Sequence, residues 1–183
     1  MTQIISIINQ KGGVGKTTTA INLAAGLSLN KKKILIIDLD PQGNATTGLG
    51  LSNSEDSEST IYGVLNGNKS IKSVISNTKF ENLDLIRSNV DLSGIEIETA
   101  DDAKRAFILK NKLINSEESF LENYSHILID CPPSLSLLTV MALVASNSLL
   151  VPLQTEFFAL EGVTQLIKTI DRVKLNLNPN LSI

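Results

Sequence analysis

The segment IISIINQKGGVGKTT, residues 4–18, decides the fold. Its first part, residues 4–8, is an apolar run broken by one serine, which is typical of a buried parallel strand. The run stops at polar and glycine residues, and from Thr17 onward the apolar residues follow helical spacing: Ala20, Ile21, Leu23, Ala24 and Leu27. The segment therefore predicts a strand, a glycine-rich loop and a helix in direct succession.

The loop between that strand and that helix contains the residue types that bind a triphosphate. Its glycines allow several backbone N–H groups to converge on phosphate oxygens. Lys16 directly precedes the helix, where its ammonium would reach the β and γ phosphates, and the Thr17 hydroxyl would coordinate Mg²⁺. A tight turn with a solvated lysine is the alternative, but the flanking strand and helix favour a phosphate-binding loop. The residues expected to contact ATP or ADP are Lys11, Gly12, Gly13, Val14, Gly15, Lys16, Thr17 and Thr18.

One position departs from the usual phosphate-binding loop. The pattern G-x-x-x-x-G-K-[ST] would place a glycine where this chain has Gln10, and the next residue is a second lysine, Lys11. One loop rarely needs two lysines for one triphosphate. Lys11 is therefore a candidate for contact with another nucleotide.

The rest of the chain continues the alternation of strands and helices. Further strands are predicted at residues 34–37, 83–87, 127–130 and 149–153, and helices at residues 103–114, 135–145 and 160–177. Residues 52–59 read as a polar acidic loop, and residues 60–76 as short helices joined by Asn-Gly turns. This order predicts an α/β fold, a doubly wound and mostly parallel sheet flanked by helices, in a single domain over residues 1–183.

Three carboxylates stand at the ends of predicted strands. Asp38 and Asp40 follow residues 34–37, directly before a proline and a glycine that turn the chain out of the sheet, and Asp130 ends residues 127–130. Asp40 could serve only the turn, and Asp38 could simply end its strand. An apolar strand that ends in an acid is the arrangement expected beside a phosphate loop. His126 and Cys131, close to Asp130, are expected to be packing residues.

Composition narrows the classes of function. The net charge is −3 and the pI is near 5.2, so the chain as a whole does not attract nucleic acid or an anionic membrane, and DNA contact would need a local basic patch. The single cysteine excludes an internal disulfide and fits a reducing compartment. Apolar runs are too short for a membrane span, and we expect a cytoplasmic protein without a signal peptide.

Three further motifs join the loop in a family resemblance. Residues 38–44, DLDPQGN, residues 126–134, HILIDCPPS, and residues 154–162, QTEFFALEG, together with KGGVGKTT, resemble the deviant Walker A P-loop ATPases typified by ParA and MinD. The motif at residues 38–44 resembles the corresponding segment of the ParA branch, which acts in chromosome and plasmid partition. The resemblance implies a P-loop NTPase fold, and it implies that family chains continue beyond the position of Ile183.

The resemblance also implies roles for individual residues. Lys11 would reach across a nucleotide-sandwich dimer to the partner's phosphates, and it joins Lys16 and Asp40 as the catalytic set. Asp40 would orient the attacking water near the γ phosphate. The metal residues would be Thr17, which ligates Mg²⁺ directly, and two carboxylates that act through its waters, Asp38 and Asp130.

The function that the resemblance implies is a slow, partner-stimulated ATPase of the partition type. It would form an ATP-dependent homodimer, bind nonspecific DNA, work with a ParB-type centromere-binding protein and associate with the nucleoid. A MinD-like membrane switch is one alternative, although the mixed charges on the last predicted helix argue against a membrane-bound face. A non-hydrolysing nucleotide-binding fragment is another. An iron–sulfur carrier would need more cysteine ligands than Cys131 supplies.

Overall fold

The computed structural model describes residues 2–52, 56–114, 119–155 and 159–183, and its centre is a six-stranded sheet. The strand order is β3-β4-β2-β5-β1-β6. All neighbouring pairs are parallel except β3 with β4. The strands are β1 Gln3–Ile7, β2 Ile34–Asp38, β3 Ile75–Asn77, β4 Leu83–Ile86, β5 His126–Asp130 and β6 Ser148–Leu150. The doubly wound, mostly parallel sheet that the sequence predicts is confirmed.

Helices cover both faces of this sheet because successive residues of a strand point to opposite sides. In β2, Leu35 and Ile37 belong to one buried apolar cluster, whereas Ile34 and Ile36 belong to the other. The first cluster includes residues of α6 and α7, and the second includes Ala20 of α1. The α-helices are α1 Lys16–Leu29, α2 Asn44–Gly48, α3 Ile61–Leu65, α4 Ile95–Glu98, α5 Ile108–Ile114, α6 Leu137–Ala145 and α7 Ala159–Asn176.

The strand order brings three chain segments to one edge of the sheet. β5 lies between β1 and β2, and in this register Ile7 and Asp38 both pair with Asp130. The carboxyl ends of parallel strands meet at the same edge, and ligands of open α/β sheets bind there. The fold therefore places the loop after β1 beside two of the predicted carboxylates.

Several predicted boundaries were wrong. The helix expected at residues 103–114 begins only at Ile108, after a 3₁₀ turn at Arg105–Phe107, because Asp102 Oδ1 accepts the backbone N–H of Lys104 (2.7 Å) and holds a turn there. The strand predicted at residues 149–153 ends at Leu150, two residues before Pro152, which has no N–H to donate. Helix α6 starts at Leu137 and not at residue 135.

The region from residue 52 to residue 76 is only partly as predicted. Short helices form at Ile61–Leu65 and, as a 3₁₀ turn, at Ile71–Val74, and the Asn-Gly turn between them places Gly67 at φ 93°. The antiparallel strand β3 was not predicted. In the expected acidic loop, Ser57–Ser59 forms a 3₁₀ turn, and residues 53–55 lie outside the described residues.

Helix α7 faces the core, as its pattern predicts. Leu166, Ile170 and Val173 are buried, whereas Ile167, which was expected on the same face, is 45% exposed. The described helices include none that is both long and apolar enough to cross a membrane. After α7, Ser182 forms a parallel bridge with Ser148, and so the described chain ends beside the edge strand β6.

Candidate nucleotide site

The loop after β1 has a backbone that requires glycine at two positions. Gly13 and Gly15 have φ values of 74° and 92°, in the left-handed region that residues with a Cβ rarely adopt. Gly15 is also the residue before α1, so the left-handed turn directs the chain into the helix. The first backbone N–H groups of α1 have no partners within the helix, and together with the helix dipole they form an anion-binding end.

Lys16 begins α1 and is buried within the loop, with only 7% of its surface exposed. Its Nζ donates to the carbonyl oxygen of Lys11 at 3.2 Å. Burial lowers the pKa of Lys16, and the charges of Asp130 and then Asp40 act in the opposite direction. The ammonium is therefore held inside the loop by a weak backbone acceptor and two nearby carboxylates, an arrangement that a phosphate could readily compete for.

Asp130 is the carboxylate without satisfied oxygens. It is fully buried at the end of β5, and neither oxygen has a hydrogen-bond partner among the described residues, although Thr17 lies near enough to favour the charged form. Burial, together with the charges of Asp38 and Asp40, raises the pKa of Asp130 to about 7 against the effects of Thr17 and Lys16. A buried carboxylate with unused acceptors is suited to a cation or to the water bound to one.

Asp38 is also buried, but its oxygens are occupied. Oδ2 accepts the backbone N–H of Thr46 at 2.8 Å and its hydroxyl at 2.7 Å, and Oδ1 accepts the N–H of Asp40 at 3.2 Å. Burial raises the pKa of Asp38 to about 6, against the lowering effect of the bonds from Thr46 and Asp40. The structure therefore holds Asp38 in a fixed orientation beside Asp130.

Asp40 combines the two roles that the sequence left open. Its Oδ1 accepts the N–H of Gln42 at 3.0 Å, and its carbonyl oxygen accepts the N–H of Gly43 at 2.9 Å, so it forms the turn that leads to α2. It also borders the cleft beside the phosphate loop. Asp40 therefore both forms the turn and places a carboxylate at the cleft.

The cleft has a volume of about 390 Å³ and opens between the loop, the turn after β2 and the segment after β5. It brings together most of the loop residues that the sequence predicted, whereas Val14 is buried and Lys11, Asp38 and Asp130 do not line it. Two lining residues, Asn44 and Pro133, were not predicted, although both stand in motifs of the family resemblance. The lining consists of Gly12, Gly13, Gly15, Lys16, Thr17, Thr18, Asp40, Asn44 and Pro133.

The side chains at this edge fit Mg²⁺ only in part. The described residues contain no group of three or more His, Cys, Asp or Glu side chains that could hold a metal ion. Mg²⁺ commonly keeps several waters and takes further oxygens from substrate phosphates, so a hydroxyl and a carboxylate from the protein suffice. Thr17 and Asp130 are the residues that would supply those oxygens, because neither oxygen of Asp130 has a hydrogen-bond partner among the described residues, and Asp38 lies next to Asp130.

Sequence reasoning missed three residues that bond to the loop or to Asp38 from outside the cleft. Asn9 bonds to Lys11 and to Pro152, Gln154 Nε2 donates to the carbonyl oxygen of Gly13 at 3.2 Å, and Thr46 fixes Asp38. Asn9 adjoins the loop and Gln154 begins one of the family motifs, so both could have been suspected. Residues 156–158 of that motif lie outside the described residues. Nothing in the sequence around Thr46 indicated its role.

Two other residues near Asp130 were expected to be packing residues. Cys131 is 1% exposed, and burial raises the pKa of its thiol well above the usual value. His126 is half-buried at the start of β5, with Nδ1 3.1 Å from Ser125 Oγ. Both positions agree with packing, and a buried thiol is a poor ligand for a shared cluster.

A parallel strand that leads through a glycine loop into a helix, with a lysine at the helix start and an acid at the end of the adjacent strand, defines a P-loop nucleotide-binding protein. The family model described as "AAA domain", AAA_31, matches residues 2–183. The chain belongs to that family, within the ParA and MinD group of P-loop ATPases.

One of two similar relatives is named for chromosome partitioning and the other for sporulation. The chain is 48% identical to the chromosome partitioning protein ParA of Caulobacter vibrioides, over 99% of this chain and 67% of the relative. It is 47% identical to the sporulation initiation inhibitor protein Soj of Bacillus subtilis, over 100% of this chain and 70% of the relative. The alignment thus leaves about a third of each relative without a counterpart in this chain.

Among solved structures, a cobyrinic acid a,c-diamide synthase from Mycobacterium smegmatis, with bound ADP and magnesium, superposes with a TM-score of 0.91 at 36% identity. The match covers 100% of this chain and 72% of that chain. Its name describes a synthase, whereas the two sequence relatives are named for chromosome partitioning and for inhibition of sporulation initiation. The structural likeness therefore supports the fold and the nucleotide site more than it selects a reaction.

Proposed function

We propose that this chain is the nucleotide-binding part of a partition ATPase that dimerises around ATP and separates after hydrolysis. The observation that carries the proposal is the contrast between the two lysines of the loop. Lys16 is buried and directed into the loop, whereas Lys11 is exposed at its start. This contrast supports a role for Lys16 at the nucleotide of its own subunit and a role for the exposed Lys11 at the nucleotide of a second molecule.

The charge of the nucleotide supports a two-subunit site. A bound triphosphate concentrates negative charge at the cleft, and Lys16 and the N–H groups at the start of α1 neutralise part of it. The exposed Lys11 of a second copy could neutralise more, and the γ phosphate adds to the negative charge that attracts it. ATP would then favour the dimer and ADP would favour the monomer, which is the behaviour of a switch.

The carboxylates support hydrolysis by positioning. Phosphoryl transfer needs an oriented water and charge neutralisation more than covalent help. Asp40 borders the cleft, and its bond to Gln42 fixes its carboxylate there, so it is the residue proposed to orient the water. Thr17 and Asp130 would hold Mg²⁺ or its waters, with Asp38 acting through Asp130 and those waters. Mg²⁺ would supply charge neutralisation at the phosphates.

The cellular role is proposed from the relatives. One is named for chromosome partitioning and the other for inhibition of sporulation initiation. The name of the first supports a role in partition, and the motif resemblance is the ground for proposing a ParB-type partner that stimulates hydrolysis. Nonspecific DNA binding, in the cytoplasm at the nucleoid, completes the proposal. The net charge of −3 means that DNA contact would depend on a local basic surface.

Size measurement in the presence of nucleotide tests the proposal. The chain should be monomeric with ADP and Mg²⁺ and should shift toward a dimer with a non-hydrolysable ATP analogue and Mg²⁺, by light scattering behind a sizing column. Lys11→Ala should remain monomeric in both states. Lys32→Ala is the control, because Lys32 is exposed beyond the opposite end of α1. A wild-type chain that binds the analogue but stays monomeric would contradict the switch.

A further inference from the structure

Asn9 lies two residues beyond the end of β1, and its side chain is buried, with 7% exposed. A buried carboxamide needs partners for its oxygen and for its N–H donors. Oδ1 accepts the backbone N–H of Lys11 at 2.9 Å, and Nδ2 donates to the carbonyl oxygen of Pro152 at 2.7 Å. Since an N–H only donates and a carbonyl only accepts, these two partners fix the orientation of the carboxamide.

The bond to Lys11 fixes the first residue of the phosphate loop. It joins a side chain to the N–H two residues later, which is an Asx turn. The carbonyl oxygen of Lys11 accepts from Lys16 Nζ at 3.2 Å, so the backbone of Lys11 is held on both sides while its side chain is exposed. When phosphates attract Lys16, the second of these bonds is given up. The bond from Asn9 does not depend on Lys16 and can persist.

The bond to Pro152 fastens this turn to the segment that follows β6. Ile8 N–H donates to the carbonyl oxygen of Leu150 at 3.0 Å, and Gln154 Nε2 donates to that of Gly13 at 3.2 Å. The loop is therefore joined to residues 150–154 before and after Lys11, and Asn9 makes the central connection. Asn9 itself does not line the cleft.

We propose that Asn9 is a positioning residue, which fixes the backbone of Lys11 against the segment after β6 so that the Lys11 side chain can reach the nucleotide of a second copy. This inference rests on the proposed function of Lys11. It distinguishes dimerisation, which would depend on Lys11, from ATP binding by the monomer, which would depend on Lys16 and the loop backbone. Loss of Asn9 should weaken dimerisation and leave ATP binding by the monomer nearly unchanged.

The test compares Asn9→Ala with wild type by calorimetry with ATP and Mg²⁺ at low protein concentration, and by sedimentation with a non-hydrolysable ATP analogue. Asn9→Ala removes both bonds of Asn9, but only the bond to Lys11 holds the residue that would contact the second nucleotide. If that one bond contributes about fivefold for each loop, the dimer dissociation constant should rise about 25-fold. The affinity of the monomer for ATP should change by less than about threefold, on the order of the smallest single-bond effects. Asn9→Ser should recover part of the dimer affinity, because a serine hydroxyl can accept the same N–H.

Asn178→Ala is the matched control. Asn178 is also 7% exposed, and its Nδ2 donates to the carbonyl oxygens of Leu143 and Ser146, away from the loop. Equal weakening of the dimer by Asn178→Ala would overturn the inference, because general destabilisation would then explain both. If Lys11→Ala blocks dimerisation but Asn9→Ala does not, only the role of Asn9 is refuted. If wild type stays monomeric, or Lys11→Ala dimerises normally, the proposed function fails and the inference fails with it.

Discussion

At the scale of single residues, the burial of Lys16 determines what its removal should do. The ammonium lies among backbone and carboxylate oxygens in the loop, so no exposed neighbour can replace it. Lys16→Ala should weaken ATP binding about a hundredfold or more, since a charge-assisted bond contributes about 3 kcal/mol. Calorimetry with ATP and Mg²⁺ measures this, and Lys32→Ala should bind as wild type does. If Lys16→Ala binds ATP as tightly as wild type does, the loop is not the phosphate site.

Substitution of Asp40 by Asn tells more than substitution by Ala. The turn needs only a hydrogen-bond acceptor at this position, whereas the proposed reaction needs the negative charge. Asn at this position keeps an acceptor for the N–H of Gln42 but removes the charge. Asp40→Asn should bind ATP normally and release phosphate about a hundredfold more slowly, the usual loss for a positioned acid or base. A single-turnover assay measures the release. Asp40→Ala should be as slow and also less stable, and normal turnover by either variant would exclude Asp40 from the reaction.

The sequence was sufficient to predict the position of site residues that belong to one continuous motif. Lys16, Thr17 and the glycines could be placed because a strand, a loop and a helix occur in direct succession. The position of Asp130 at a strand end could be predicted. That its oxygens have no hydrogen-bond partner among the described residues could not. That property depends on what β1 and β2 bring to either side of it, and those contacts join distant parts of the chain.

At the scale of elements, α2 connects the nucleotide site to the sheet through one buried side chain. Thr46 Oγ1 donates to Asp38 at 2.7 Å and accepts the N–H of Ser88, just after β4, at 3.1 Å. Thr46→Val would leave both partners without that bond, at a cost of about 3 kcal/mol in the free energy of unfolding. Thr46→Ser should recover most of the loss because it keeps the hydroxyl.

Urea denaturation measures this effect, and the neighbouring threonine provides the control. Thr47 is exposed, and its hydroxyl donates to the carbonyl oxygen of Asn44 at 3.3 Å and to that of Gly43, the residue before α2, at 3.2 Å. Thr47→Val should therefore change stability by less than about 0.5 kcal/mol. If the two valine variants are equally stable, the buried network does not stabilise α2.

The elements that sequence reasoning missed are those that depend on their surroundings. β3 has three residues and pairs antiparallel with β4 at the sheet edge, so too few residues carry an alternating pattern to be read. The start of α5 was placed too early because residues 103–107 have helical composition, but the Asp102 turn prevails there. The long, apolar strands of the centre were predictable because burial on both faces requires such runs.

At the scale of the whole molecule, the buried carboxylates make stability depend on pH. Asp130 has its pKa raised from 3.8 to about 7 by burial, so the folded state favours the protonated carboxyl. This contribution is fully present below about pH 4 and is lost as the pH rises through 7. Asp130→Asn imitates the protonated form, and it should be more stable than wild type at pH 8 by a few kcal/mol, on the order of the pKa shift, but not at pH 4.

Nucleotide-free protein unfolded by urea at pH 4, 6 and 8 gives the comparison. Asp171→Asn is the control, since Asp171 is exposed on α7. Its difference from wild type should be small at each pH. A constant difference between Asp130→Asn and wild type across this range would contradict the assignment of Asp130 as a buried, destabilising charge.

The pairing of the first strand with two late strands has a consequence for biosynthesis. β1 is translated long before its neighbours, which are β5, where Gln3 pairs with His126, and β6, where Ile5 pairs with Ser148. Contacts between such distant residues form slowly because a long loop must close first. The phosphate loop directly after β1 therefore remains unanchored in the nascent chain until β5 and β6 have been translated. We therefore expect ATP to stabilise chains that have completed the sheet more than partially synthesised ones.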